Sequence, residues 1–492
     1  MREPVQLRDL YKSTRIYSSM SLFWVLFFLL LLISPLVTLA KSPFTLPYRA
    51  WTSWDLSAVT NAESRGYGRE FLIEANVLAQ SDALANSSLQ KIWDSESPRT
   101  VLAIDSFWAH DPTKFVDSYG RWAWNTTRFP SGYQAVSSRV RANNQRLGIY
   151  LNPGVAVAAV NAASPILNGL NGCTCDDIAI KPIEPGNTFW DTRRINFSHP
   201  CAQTYIDSII IQLVEWNVGL IKLDAVSPGS DDTNGIDNRL DVAAFSDAIT
   251  RLNADVWLII SWRINSTYAE DFFPHANSWR TSDDVDCYCN VLSAWHAVRN
   301  RFIEVIPWLP YLPRSRENGG YPDLDSLNVL QGDFDGLTND EKQTSATLWA
   351  MVGSPWYTGN DLTAGLDSYG LMLLTNEEVL SVNEDAMPPS LTPASMNGTA
   401  DLQIWYSASS TGVPNIITVA LFNLGDNTTD ITLRFADVGI VSTANDNICI
   451  RDLWLREDIE CLSSETLTFV ARNVPTHGSR LLRIDASGGG GE

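Results

Sequence analysis

Short apolar runs that end on polar residues recur along the first three-quarters of the chain. Thr100–Trp108 reads TVLAIDSFW, Arg146–Pro153 reads RLGIYLNP and Gly219–Val226 reads GLIKLDAV. Asp255–Trp262 reads DVWLIISW and Ser354–Leu362 reads SPWYTGNDL. Their brevity and Val/Leu/Ile content predict buried strands. Between them, stretches such as Phe71–Leu89 and Ala202–Trp216 read as helices. Alternating buried strands and helices predict parallel βαβ units. About eight such units fit between roughly residues 45 and 385, so the pattern points to a (β/α)8 TIM barrel. The polar residues then fall at the carboxyl ends of strands, where α/β active sites form.

The pattern changes after LTNEEVLSVNEDAMPPSLTP, where Pro388 and Pro389 mark a linker. Beyond it, LQIWYSA, NIITVALFNL, TDITLRFADVGI, LTFVARNV and SRLLRI are short alternating runs without helical stretches. They predict an antiparallel β-sandwich of about 95 residues. The division expected is residues 1–40 as a targeting segment, 41–386 as a catalytic barrel, 387–485 as a β domain and 486–492 as a glycine-rich flexible tail.

The targeting segment carries Arg2, Arg8, Lys12 and Arg15 ahead of SLFWVLFFLLLLISPLVTLA. Its uninterrupted apolar part, Leu22–Ile33, is short for a membrane span, and Pro35 breaks it before Thr38-Leu39-Ala40. A cleaved signal peptide and a secreted protein are favoured; a retained type II anchor is the alternative. Asparagine acceptors for N-linked glycans occur at Asn86, Asn125, Asn196, Asn265, Asn397 and Asn427, which agrees with secretion. Seven cysteines in an oxidising compartment predict disulfides with one thiol left free or paired between chains. Cys449 and Cys461, twelve apart, suit a hairpin staple. CTC and CYC are too close-set for zinc, no H-E-x-x-H occurs, and no metal or cofactor is expected. The net charge of −21 argues against nucleic acid and anionic membrane surfaces as partners. Eighteen tryptophans and fifteen tyrosines suit carbohydrate binding, and equally suit core packing.

Lys222 and Asp224 lie two apart in GLIKLDAV and so share one face of the strand. A lysine there is expected to hold the aspartate ionised by about 1–3 pKa units. A second acid on a neighbouring strand end would turn this pair into a candidate active site. SWRTSDDVDCYC, Ser278–Cys289, offers Asp283, Asp284 and Asp286 with Arg280 upstream.

The ordered set of these motifs resembles glycoside hydrolase family 27, the α-galactosidase and α-N-acetylgalactosaminidase group. AWTSWDL resembles the family's opening G-W-N-S-W, and AIDSFW its second-strand aspartate block. GRWAWNTTRFPSG and LGIYLNPG resemble the segments that follow. LIKLDAV matches the K-x-D nucleophile strand, WRTSDDVD matches W-R-x-x-x-D, and GGYPDLDSL is similar to G-G-W-N-D-P-D-M-L. IRDLWLRED and VPTHGSRLLRI resemble its C-terminal domain. The resemblance implies Asp224 as nucleophile and Asp284, four residues after Arg280, as acid/base; Asp283 breaks that offset. It implies Trp54 as an apolar wall, Tyr150, Lys222 and Arg280 as hydrogen-bonding groups, Asp105 as a hydroxyl ligand, and Asp325 as the second aspartate of the seventh-strand motif. Two such carboxylates suit retaining hydrolysis with the carboxyls about 5–5.5 Å apart. The nucleophile is expected to have a low pKa, set by Lys222. The acid/base is expected to have a raised one, set by burial and the charge on Asp224.

Departures from the family pattern bear on substrate. Ser106 stands where the family has a second aspartate that grips galactose hydroxyls. ISWRI, with Trp262 and Arg263, replaces the fifth-strand C-E-W, so Ser106 and Trp262 join the candidate sugar contacts. Ala225-Val226 replaces the cysteine after the nucleophile, and Ser326 replaces a methionine; NGCTCDD offers cysteines for another disulfide. An α-D-galactosidase is the first reading. A β-L-arabinopyranosidase or other α-glycosidase with the same machinery is the alternative. A non-catalytic sugar-binding protein would need a lost carboxylate, and both are present.

Overall fold

The computed structural model describes residues 46–486, apart from 96–98, 190, 318, 386, 396–397, 399, 409–415, 441–446 and 464. The N-terminal apolar segment, the acceptor Asn397 and the tail beyond Ala486 lie outside the described residues. Eight short strands build the first large sheet, a two-residue ribbon of Val155–Ala156 and Thr192–Arg193 aside: β1 Arg49–Thr52, β2 Thr100–Ile104, β3 Arg146–Leu151, β4 Val218–Leu223, β5 Trp257–Ile260, β6 Ser278–Arg280, β7 Tyr321–Asp323 and β8 Trp356–Thr358. They pair in the order β8-β1-β2-β3-β4-β5-β6-β7, every pair parallel. This is the expected (β/α)8 TIM barrel.

The end strands β7 and β8 are fastened by side chains and loops. Pro322, in the middle of β7, has no N–H to give to a ladder. Leu327 N donates to Tyr357 O (2.7 Å) and Leu324 N to Ser354 Oγ (3.0 Å). The Tyr357 hydroxyl lies 3.0 Å from Asp323 Oδ1 and 3.1 Å from Asp325 Oδ1. Inside the barrel, Tyr48, Val101, Leu220, Trp257, Tyr321 and Tyr357 form a cluster of their own. Tyr48 stacks on Tyr357 (centroids 5.6 Å) and Trp257 on Tyr321 (5.7 Å), so rings fill the interior.

The helical stretch expected over Phe71–Leu89 is broken. A 3-10 turn at Arg69–Phe71 precedes the helix Glu74–Asn86, and extended Ser87 separates that from a second helix, Ser88–Trp93. Ala202–Glu215 is helical as expected. The helix Asn339–Val352 is buried at every position from Glu341 to Val352 except Gln343, because it lies between the barrel and the second domain. Its Trp349 Nε1 reaches Asp325 O (2.7 Å), and its Thr347 Oγ1 accepts from Trp454 Nε1 (2.9 Å).

After Pro388 and Pro389 the strands are β9 Ser390–Leu391, β10 Leu402–Ala408, β11 Ile416–Asn423, β12 Thr429–Arg434, β13 Asn447–Asp452, β14 Glu457–Ser463, β15 Thr468–Val474 and β16 Ser479–Asp485. One sheet runs β9-β10-β11-β16-β13-β14, and β12-β15 forms the opposing ribbon. Strand periodicity divides the work in β11. Ile417, Val419 and Leu421 enter the sandwich core, while Ala420 and Phe422 belong to the barrel's core. Phe422 meets Phe302 edge-on at 4.9 Å. Burial on both faces is why NIITVALFNL reads as nearly continuous apolar sequence.

Cys449 and Cys461 face each other across β13 and β14 and are bonded, as expected of a hairpin staple. Cys173 pairs with Cys201, and Cys287 with Cys289. The odd thiol is Cys175; it is buried, and burial together with Asp117 pushes it up to about 12. Among the described residues no helix is long and apolar enough to cross a membrane.

Candidate active site

The candidate residues sit at the carboxyl ends of the barrel strands. Trp54 follows β1, Asp105 follows β2, Asp224 follows β4, Arg280 ends β6 and Asp325 stands two residues beyond β7. The β3–β4 register sets Tyr150 opposite Lys222. Asp224 is tied to the end of β3: its N–H donates to Leu151 O (2.8 Å), and Asn152 Nδ2 donates to its carbonyl (3.1 Å).

Lys222 is the electrostatic centre. Its ammonium bonds Asp105 Oδ2 at 2.8 Å. Burial alone would lower its pKa; the carboxylates of Asp105, Asp224 and Asp284 outweigh burial and hold it charged. The expected Lys222–Asp224 pair is therefore corrected: the hydrogen bond goes to Asp105, and Asp224 feels the cation through space. Burial raises the Asp224 carboxyl above its ordinary value; Lys222 opposes this, and Asp105 and Asp284 add to it.

Arg280 organises the second acid. It is 2% exposed and lies 2.5 Å from Asp325 Oδ2 and 2.9 Å from Asp284 Oδ1, and its Nη2 also donates to Asp283 O (2.8 Å). Asp325 is fixed by Val285 N on Oδ2 (2.8 Å) and Ser326 N on Oδ1 (2.9 Å). Tyr288 donates its hydroxyl to Asp284 Oδ2. Burial pushes Asp284 up, but Arg280, Lys222 and the Tyr288 hydroxyl prevail and hold it below the ordinary carboxylate range. The expected order, a low Asp224 and a raised Asp284, is thus reversed. Lys222 spends its hydrogen bond on Asp105, and Asp284 receives two donors that the reasoning from sequence did not count.

Two family models match the chain. The model described as alpha galactosidase A spans residues 192–385, and that of the alpha galactosidase C-terminal beta sandwich domain spans 399–484. Alpha-galactosidase 3 of Hypocrea jecorina is 27% identical over 391 residues, 75% of this chain and 59% of the relative, so this chain spans less than two-thirds of that protein's length. The alpha-galactosidase of Coffea arabica is 24% identical over 438 residues, 88% of this chain and 92% of the relative. Among solved structures, a family 27 β-L-arabinopyranosidase from Geobacillus stearothermophilus has a TM-score of 0.74 at 23% identity, covering 92% of this chain and 98% of that one. Alpha-galactosidase I of Mortierella vinacea gives 0.64 at 20% identity, covering 91% and 99%. The chain belongs to glycoside hydrolase family 27. It is an α-galactosidase-like glycoside hydrolase.

In this family 27 member Trp54, Asp105, Tyr150, Lys222, Arg280 and Asp325 line one cavity of about 40 Å3 at the barrel mouth, room for one or two waters. Asp224 and Asp284 do not line that small cavity; Asp284 is bonded to Arg280, which does, and Asp224 feels the charge of Lys222 through space. Ser106 and Trp262 do not line it either. The Ser106 N–H donates to Asp105 Oδ1 (2.7 Å), and Trp262 is held by its backbone to Ser230 Oγ (N···O 3.2 Å).

Two residues, Asp55 and Tyr288, escaped the sequence reading as functional candidates, and Asp286 was offered there only as one of three acids in its segment. Asp55, next to Trp54, is buried and accepts from Ser326 Oγ and Asn328 Nδ2, both at 2.5 Å. Burial and the charge on Asp325 push it up to about 6. Asp286 is raised well above the carboxylate range by burial and by Asp55 and Asp325. Tyr288 bridges Asp284 to Trp54, whose Nε1 lies 3.4 Å from its hydroxyl. The only signal for Tyr288 was its place between two cysteines. Among the described residues no cluster of His, Cys, Asp and Glu is arranged to hold a metal ion.

Proposed function

We propose that this family 27 protein is a secreted, retaining glycosidase that removes terminal α-D-galactosyl or closely related residues from oligo- or polysaccharides. Asp224 is the nucleophile and Asp284 the acid/base. The observation that carries this reading is the bond from the Lys222 ammonium to Asp105 Oδ2 (2.8 Å) at the end of β2, with Asp224 after β4 and Asp284 after β6 near enough for their charges to act on the same cation. The first step needs Asp224 ionised and Asp284 protonated, the reverse of the order in the free site, so substrate binding has to change the surroundings of both acids. Ionised Asp224 then attacks the anomeric carbon while Asp284 gives its proton to the departing glycosidic oxygen. In the second, Asp284 takes a proton from water, the oxygen of that water attacks the same carbon, and Asp224 is released. Trp54, Asp105, Tyr150, Lys222, Arg280 and Asp325 bind the ring or position the two acids.

The test is hydrolysis of aryl α-D-galactoside and aryl β-L-arabinopyranoside by purified protein, with the anomer of the first product read by NMR. Retention and loss of turnover in Asp224→Asn are expected; turnover surviving that substitution would refute the nucleophile. A β-L-arabinopyranosyl substrate is the second reading. It is favoured by Ser106 in place of an acid and by the acid-free sequence Ser261-Trp262-Arg263 after β5. Glycans at Asn86, Asn196 and Asn427, all exposed, accord with a secreted protein, with Asn125, Asn265 and Asn397 as further acceptors. A mature N-terminus near Lys41 would separate secretion from a retained anchor.

A further inference from the structure

Tyr288 sits in a covalent loop of its own. Cys287 and Cys289 on either side of it are disulfide-bonded, and Tyr288 between them has a left-handed backbone with φ +52°. The loop is anchored from outside. Thr60 N donates to Cys289 O (2.8 Å), Thr60 Oγ1 donates to Tyr288 O (3.1 Å), and Cys287 N donates to Leu292 O (2.9 Å). Tyr288 is nevertheless 47% exposed, and its hydroxyl reaches inward to Asp284 Oδ2 and to Trp54 Nε1.

Both oxygens of Asp284 are therefore engaged. Oδ1 belongs to Arg280, which is buried and locked by Asp325 and by the carbonyl of Asp283. A general acid must present one oxygen to the glycosidic oxygen at hydrogen-bond distance. Of the two partners, only Tyr288 stands at the surface, so Oδ2 is the oxygen that can be freed. Trp54 and Tyr288 also wall a groove of about 540 Å3 together with Phe107, Tyr67, Arg69 and Glu70, so the partner of Oδ2 borders open space.

We propose that Tyr288 is a positioning residue for the acid/base: its hydroxyl holds Asp284 Oδ2 in the free site and is exchanged for the leaving-group oxygen when substrate binds. The inference rests on the assignment of Asp284 given above. The proton that Asp284 delivers goes to the glycosidic oxygen as the carbon–oxygen bond breaks, and Tyr288 neither gains nor loses one. The other charged groups facing Asp284 are Arg280, Arg301, Lys222, Asp224 and Asp286.

A donor on Oδ2 favours the ionised carboxyl, so its removal raises the pKa of Asp284. Tyr288→Phe keeps the ring and removes only the donor. The experiment is the pH profile of kcat/KM for an aryl glycoside with a poor leaving group, in wild type, Tyr288→Phe and Asp284→Asn. The expected result is that the limb set by Asp284 moves up by about one pH unit in Tyr288→Phe, with an unchanged melting temperature. Cys287→Ser with Cys289→Ser, which frees the loop, is expected to move the same limb the same way. A Tyr288→Phe profile that superimposes on wild type, while Asp284→Asn has lost turnover, overturns the role of Tyr288 and leaves the function standing. Wild-type turnover in Asp284→Asn overturns the assignment beneath it.

Discussion

Lys222 Nζ lies 2.8 Å from Asp105 Oδ2, and through that contact one cation serves acids from three strand ends. Replacing it with methionine leaves Asp105 without its ion-pair partner and Asp224 without the cation that opposes its burial, while Asp284 keeps Arg280. Breaking a buried pair on one side costs about 3 kcal/mol. We expect Lys222→Met to lower kcat/KM about a hundredfold and to raise Asp224 further, shifting the remaining activity to higher pH. A pH profile of the variant checks both.

Gly359 is pressed against Asp55. A Cβ at this glycine would overlap the Asp55 carboxylate, which cannot swing away because Ser326 Oγ and Asn328 Nδ2 both hold Oδ1. Overpacking of this kind costs about 1–3 kcal/mol. Gly359→Ala is expected to lower the melting temperature and, by displacing Asp55 beside Trp54, to raise KM. Calorimetry and steady-state kinetics test this; a variant matching wild type in both would show that the carboxylate relocates freely.

The barrel and the place of Lys222 and Asp224 at a strand end were legible because those signals are local, whereas Asp284 was singled out among its neighbours only by the family resemblance. K-x-D at the end of an apolar run and W-R-x-x-x-D sixty residues on fall at the ends of β4 and β6, as alternating strands and helices require. Partners that meet only in three dimensions were not legible. Asp105 and Lys222 are 117 residues apart and lie on strands separated by β3, so the lysine was assigned to its near neighbour Asp224. Asp55 reads as the first turn of a short helix, and its partners come from loops more than 270 residues away. The order of the two acids was misjudged for the same reason, since Tyr288 and the fork of Arg280 decide Asp284. The strand Glu457–Ser463 carries no alternation because it is an edge, exposed along most of its length.

That edge strand is held by one covalent bond. Cys449–Cys461 ties β14 to β13 and closes a loop of sequence separation 12. A loop of this length is worth about 3 kcal/mol in the chain-entropy account. Cys449→Ser with Cys461→Ser is expected to open the hairpin to proteases while leaving kcat/KM within about twofold, because the bond lies in the sandwich. Limited proteolysis with mapping of the first cut checks this; a first cut elsewhere in the chain would show that the hairpin is held without the bond.

Asp241 provides a pH dependence of stability with a definite sign. It is 2% exposed, accepts from Gly154 N (3.0 Å), and is pushed up to about 7 by burial. An unfolded aspartate titrates near 3.9. The folded value is the higher one, so the stabilising contribution is complete below about pH 4 and is lost as pH rises toward 7. Three units correspond to about 4 kcal/mol. Asp55 and Asp323, both pushed up to about 6 with burial as the main cause, act in the same direction over a narrower range. Asp241→Asn cannot ionise, so its melting temperature relative to wild type should rise steadily between pH 4.5 and 7.5. Using the difference between variant and wild type cancels the repulsion that the net charge of −21 adds to both. A difference that stays flat across that range would mean that Asp241 remains ionised in the fold, with its charge satisfied by Gly154 N and Asn238 Nδ2.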